Sequence, residues 1–157
     1  MIATALALSL LAANPAPAEE LVPFKAPPIR LQIPSAWNHT EEEGSHRFSA
    51  KEGEAYFELD VGKVQTAGMK AQTCVDKITQ AMGGKFDKKK LGGQPAAMKT
   101  VTDKDEAGKE FVTRMYVGCD GKTTWSLSFH MIKEKQAQFA PTADAVVNSV
   151  EFLKAEK

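Results

Sequence analysis

The sequence predicts an α+β domain, an antiparallel β-sheet with helices packed on it. Lys109–Gly118 and Lys122–Ile132 are long runs rich in β-branched and aromatic residues that flank the turn signal Cys119-Asp120-Gly121. From Met69 to Met82 the apolar period changes to that of a helix, with Ala71, Val75, Ile78 and Met82 within about 60° of one another at about 100° per residue. A second helical stretch, Glu134–Ser149, closes the chain with a break expected at Pro141, followed by a short apolar tail, Val150–Leu153.

The remaining elements follow in chain order. Met1–Ala18 carries no charged side chain and holds the apolar run Ile2–Ala13 followed by Ala16-Pro17-Ala18, the small-x-small pattern of a signal-peptidase site. We read residues 1–18 as an export signal cut after Ala18, too short and too proline-broken to be a membrane anchor. Glu19–Pro28, with three prolines, reads as an extended lead-in, and residues 29–157 as a single domain without linker or repeat. Ile29, Leu31 and Ile33 alternate with polar residues before Pro34 and predict a short edge strand. His46–Ala50 and Ala55–Val64 predict a hairpin with Phe57, Leu59 and Val61 on its dry face and Glu58 and Asp60 on its wet one. Gly83-Gly84 ends the first helix, and Phe86–Lys89 and Ala96–Asp103 are two further strands around a Gly92-Gly93 turn.

The long hairpin has two candidate registers. A two-residue turn sets Trp125 opposite Tyr116; a three-residue loop sets it opposite Met115 and gathers Phe111, Met115, Val117, Trp125, Leu127, Phe129 and Met131 on one face. The premise that one face of the sheet is buried favours the second. The whole sheet is expected to have six or seven strands.

Ile33-Pro34-Ser35-Ala36-Trp37 resembles the hydrophobic-Pro-x-x-Trp opening of PsbP-like domains. Gly92-Gly93-Gln94-Pro95-Ala96 resembles the turn before their central strand, and Val146–Phe152 is similar to their closing helix, serine and hydrophobic-x-Phe. The resemblance spans Ile29–Leu153 and implies a three-layer α/β/α sandwich shared with photosystem accessory proteins and bacterial envelope proteins. Its members are mostly non-catalytic, and the resemblance carries no metal contact over to this chain.

The chemistry the chain offers is sparse. All 20 basic and 20 acidic residues lie after Ala18 and balance to zero, which removes the long-range pull that makes nucleic acid a main partner. Cys74 and Cys119 are the only thiols, and export to an oxidising compartment favours a single structural disulfide over two separate buried thiols, while the lack of a C-x-x-C argues against a redox pair. His39 and His46 are seven apart and match no standard metal-ligand spacing; surface or strand roles are expected. Ser126, Ser128 and His130 share one strand face, but no strained turn presents a serine nucleophile. Gly83-Gly84-Lys85 and Gly92-Gly93 lack the remainder of a phosphate loop. No catalytic, cofactor or metal residue is assigned.

Lys88, Lys89 and Lys90 form the one basic cluster, suited to an acidic partner or to guarding a strand edge, and Trp37 is the candidate anchor for a partner, with a packing role as its competitor. The expected function is that of an exported, periplasmic or extracellular, non-catalytic accessory or binding protein. It would meet another envelope protein through a sheet edge or the loops around Trp37 and Glu41–Glu43. The alternative is a carrier holding a small apolar ligand between sheet and helix, lined by Met69, Met82, Met98, Met115 and Met131.

Overall fold

The computed structural model describes residues 19–63 and 68–154; the export signal read from residues 1–18 lies outside them. Two antiparallel sheets and two helices make up the fold. The three-stranded sheet has the order β1-β2-β10, from Leu21–Ala26, Ile29–Pro34 and Glu151–Phe152. The seven-stranded sheet has the order β3-β4-β5-β9-β8-β7-β6. Its strands are β3 (Asn38–Glu42), β4 (Ser45–Ser49), β5 (Ala55–Lys63), β6 (Asp87–Leu91), β7 (Gln94–Lys104), β8 (Glu110–Cys119) and β9 (Thr123–Ile132). Helix α1 is Ala71–Met82, and α2, Gln136–Asn148, follows a short 3-10 turn and runs through Pro141 without ending there.

The large sheet is buried on both faces. On one side the three-stranded sheet and α2 cover Phe48, Phe57, Leu59, Tyr116, Trp125, Leu127, Phe129 and Met131. On the other, α1 brings Val75 against Ala97 and Val117, with Ile78, Phe86 and Met115 around them. This two-sided burial corrects the expected hairpin register. β8 and β9 pair Tyr116 with Leu127 and Gly118 with Trp125, closing through the four residues Asp120–Thr123. Trp125, Leu127, Phe129 and Met131 therefore face α2, while Phe111, Met115 and Val117 face the α1 side. The one-buried-face premise fails because both sides of the strand have a layer to pack against.

The side chains show what holds this register. Asp120 Oδ1 accepts from the backbone N–H groups of Lys122 and Thr123 at 2.8 and 2.7 Å, an aspartate-capped turn. The Trp125 indole lies across Gly118 so closely that a Cβ there would sit 2.1 Å from its Cζ2. Only glycine permits that contact.

Two further expectations change. The lead-in is extended but is not ahead of the domain: Leu21–Ala26 pairs along its length with Ile29–Pro34, turning at the cis Pro27–Pro28 bond. This hairpin and β10 put Ile29–Pro34 in the centre of its sheet, not at an edge. Pro23 lies in the outer strand and Pro34 at a strand end, where a missing donor costs little. The α1 stripe also rotates. Cys74 and Val75 are its buried residues, and Met82, expected on the dry side, is 43 % exposed.

Cys74 and Cys119 are bonded, with their Cα atoms 5.9 Å apart, and join α1 to the end of the long hairpin. Gly121, beside the same bridge, packs against the carbonyl of Met69, where a Cβ would come within 2.0 Å of the oxygen.

Replacing Gly118 by alanine is expected to cost about 1–3 kcal/mol in urea unfolding, because Trp125 must move. A cost near zero would show that the indole does not hold the register. The Cys74→Ala/Cys119→Ala double variant is expected to lose up to about 4 kcal/mol, the chain-entropy value for a separation of 45 residues. An unchanged unfolding midpoint would remove the bridge from the account of α1.

Candidate functional site

α1 packs on β7 and β8, leaving the same face of β4, β5 and β9 without a helix over it among the described residues. The strand period decides what this open face displays. Because Phe48, Phe57, Leu59, Leu127 and Phe129 turn toward α2, their neighbours Arg47, Tyr56, Glu58, Asp60, Ser126, Ser128 and His130 turn the other way. They form a network across adjacent strands. Arg47 donates from Nε and Nη2 to Glu58 Oε1 at 2.9 and 2.6 Å, and its guanidinium lies 4.3 Å from the centre of the Tyr56 ring. Tyr56 stacks on His130 at 4.4 Å between centroids. The second Glu58 oxygen stands 3.7 Å from His130 Nε2, and His130 Nδ1 lies 2.9 Å from the Thr113 hydroxyl on β8.

A groove of about 500 Å³ opens beside this network, lined by Thr40, Glu42, Glu43, Ser45, Arg47, Glu58 and Asp60. Four carboxylates meet one guanidinium there, and that guanidinium is already engaged by Glu58. The groove therefore favours cationic and hydrogen-bond-donating groups. It runs to β3, which among the described residues pairs with β4 alone and so presents one edge of free backbone groups.

The surroundings tune three of these groups. The hydrogen bond to Glu58 raises Arg47, outweighing burial, and burial raises the Tyr56 phenol. Burial is the largest influence on His130 and lowers it from 6.5, with Glu58 opposing and Arg47 assisting.

The sequence-predicted residues fall in different places. Trp37 is not an exposed anchor: it is 8 % exposed, packs against Phe57 and Phe139, and donates its indole N–H to Glu19 at 3.0 Å. The side chain thus takes the packing role, while Ser35, Ala36 and Asn38 around it are exposed. Lys88, Lys89 and Lys90 are exposed on β6, the opposite edge of the large sheet from β3. Cys74 and Cys119 lie under α1, away from the open face. Ser126 donates to Asp60 at 3.2 Å, and neither it nor Ser128 is bonded to His130 among the described residues. The five methionines do not line one space. Met131 is core, Met98 and Met115 lie on opposite faces of the sheet, and Met82 faces solvent. Glu42 and Glu43 belong to the acidic loop read from the sequence as a partner contact, and the wet face of β5 supplies Glu58 and Asp60; the groove they share with Thr40, Ser45 and Arg47 has no sequence signal, because it depends on the pairing of β3, β4 and β5.

Fold and groove together define a class: a layered α+β domain with an open polar sheet face. No protein-family model matches the chain, and no curated protein matches it. Similar solved structures do exist. A protein of Bacteroides thetaiotaomicron VPI-5482 aligns at TM-score 0.66 and 21% identity over 86% of this chain and 49% of that one, so this chain spans about half its length. LpqN of Mycobacterium tuberculosis, involved in cell envelope biogenesis, aligns at TM-score 0.63 and 12% identity over 86% and 91%. The cyanobacterial PsbP of Synechocystis sp. PCC 6803 aligns at 0.48 and 9% over 91% and 98%. Likeness to the first two at these identities shows the fold, which is the α+β class expected.

The lowered His130 has a measurable consequence. In the folded protein the ring takes up its proton at a lower pH than in the unfolded chain, where it does so as pH falls past 6.5. The stability this neutral ring contributes is present above that pH and is lost below it. The difference in unfolding midpoint between wild type and His130→Gln is therefore expected to change between pH 7.5 and pH 5, with wild type losing more as pH falls. A difference independent of pH would show that His130 is not held neutral by its surroundings.

Proposed function

We propose that this protein is an exported, non-catalytic binding protein of the cell envelope. In this reading it takes an extended, basic segment of a partner along the β3 edge and across the Glu42–Asp60 groove. One observation carries the reading: an open face with excess carboxylate is continuous with the unpaired edge of β3. A strand added there would gain main-chain hydrogen bonds from the edge and side-chain contacts from the groove, the two halves of β-augmentation. The export signal read at residues 1–18, the Cys74–Cys119 bridge and the fold shared with an envelope-biogenesis protein support the location. None of the described helices is long and apolar enough to cross a membrane. The apolar-carrier alternative has less support, because the methionines it needs are dispersed.

Photo-cross-linking residues placed singly at Thr40, on the proposed edge, and at Lys89, on the opposite edge, test this in the native envelope. Adducts from Thr40 that are lost when Glu42 and Asp60 are both changed to lysine are the expected result. Adducts from Lys89 alone, or from neither position, would overturn the site.

A further inference from the structure

We infer that His39 and His46, with Glu41, form a binding site for a divalent transition-metal ion of the zinc type on the β3–β4 hairpin. The two histidines sit diagonally across the hairpin: His39 is paired with Phe48, and His46 with Glu41. All three therefore project from the same face, opposite to the Arg47–His130 network. His39 Nε2 and His46 Nδ1 stand 3.3 Å apart, with ring centroids at 5.4 Å. Two imidazole nitrogens bound to one tetrahedral ion at about 2.0–2.1 Å stand about 3.3 Å apart, with ring centres at about 5.2 Å. The pair thus already has the spacing of a chelate. Glu41 Oε2 lies 3.6 Å from the same His46 Nδ1 and supplies an anionic third donor.

The rings are held where they are by packing rather than by the hydrogen bond between them alone. His39 stacks flat on Phe48 at 4.4 Å, and Phe24 meets the edges of both imidazoles at 5.2 and 5.0 Å. Phe24 belongs to β1, so the site lies on the seam between the two sheets. Such pre-positioning lowers the ordering cost of taking up an ion. Among the described residues no three His, Cys, Asp or Glu side chains are placed to hold a metal ion together, so Glu41 is not a ligand in its present rotamer. The site is therefore a two-imidazole chelate that Glu41, 58 % exposed and free to swing, completes together with water. Imidazole nitrogen with one carboxylate suits zinc, nickel or copper, and not calcium or magnesium, which prefer oxygen donors. The seven-residue spacing did not point to this site, because the hairpin turn between the histidines, not a helix or a knuckle, brings them together.

Isothermal titration of the purified, disulfide-bonded protein with zinc chloride tests the inference, together with proton–nitrogen spectra of the histidine rings. One zinc per chain is expected to bind, the ring signals of His39 and His46 to shift, and those of His130 to stay. His39→Ala or His46→Ala is expected to weaken binding by about tenfold or more, and Glu41→Gln by less. His39 is on the exposed edge strand, so its variant keeps the test open if His46→Ala does not fold. No saturable binding, binding unchanged in the His39→Ala variant, or a shift of His130 with the other two unmoved would each overturn the site.

Discussion

The contact of Trp125 with Gly118 is the constraint on which the arrangement of this protein turns. An indole lying flat across a glycine in the neighbouring strand admits one pairing of β8 with β9, since a slip by one residue would drive the ring into a side chain. β9 is also paired with β5, so the same register propagates outward: Phe57 opposite Phe129, Leu59 opposite Leu127, Val61 opposite Trp125. The large side chains of β5 and β9 inherit their direction from that one contact. So does every polar side chain of the open face, which consists of the residues in between.

The α1 side is built differently. Its core is small, and α1 is a helix of 12 residues with no side-chain cap at its N-terminus and only Cys74 and Val75 buried. A helix of that length is marginal by itself, and its apolar stripe contributes little area. The bridge to Cys119 fixes it to the hairpin, which a longer apolar helix would not need. Because α1 is short and tethered at β8, it does not reach over β5 and β9. The open face is the result. The polar network there takes the place of a packed layer: Glu58 satisfies Arg47, Thr113 satisfies His130, and Asp60 satisfies Ser126.

What could be read from the residues follows the same physics. The central strands were legible because their alternation is strong, and the disulfide because two cysteines in a chain read as exported leave one pairing. β3 was not legible: Asn38–Glu42 contains no apolar residue, and it is a strand only because β4 offers it an edge. β1 was hidden by Pro23 and by the Pro27-Pro28 pair after it, for the cost of a proline depends on which side of a sheet it faces, a tertiary fact. The register failed for a similar reason, since no local pattern says whether a strand will be covered once or twice. The groove was beyond reach because it is a cross-strand object, assembled from residues 40 to 60 that share a face only after β3, β4 and β5 have paired.

The tip of the β3–β4 hairpin shows that this region is shaped by more than folding. Its two-residue turn is Glu43-Gly44, and Glu43 is the one non-glycine residue at positive φ among the described residues, at 51°. Asparagine followed by glycine is the pair that such a turn prefers, and a glutamate in the left-handed region costs roughly 1–2 kcal/mol. Nothing in the packing repays that cost, for the side chain is exposed and makes no ion pair among the described residues. What it adds is a carboxylate beside Glu42 at the mouth of the groove. An asparagine there would relieve the backbone and remove that charge, so the strain and the groove's charge are two sides of one choice of residue.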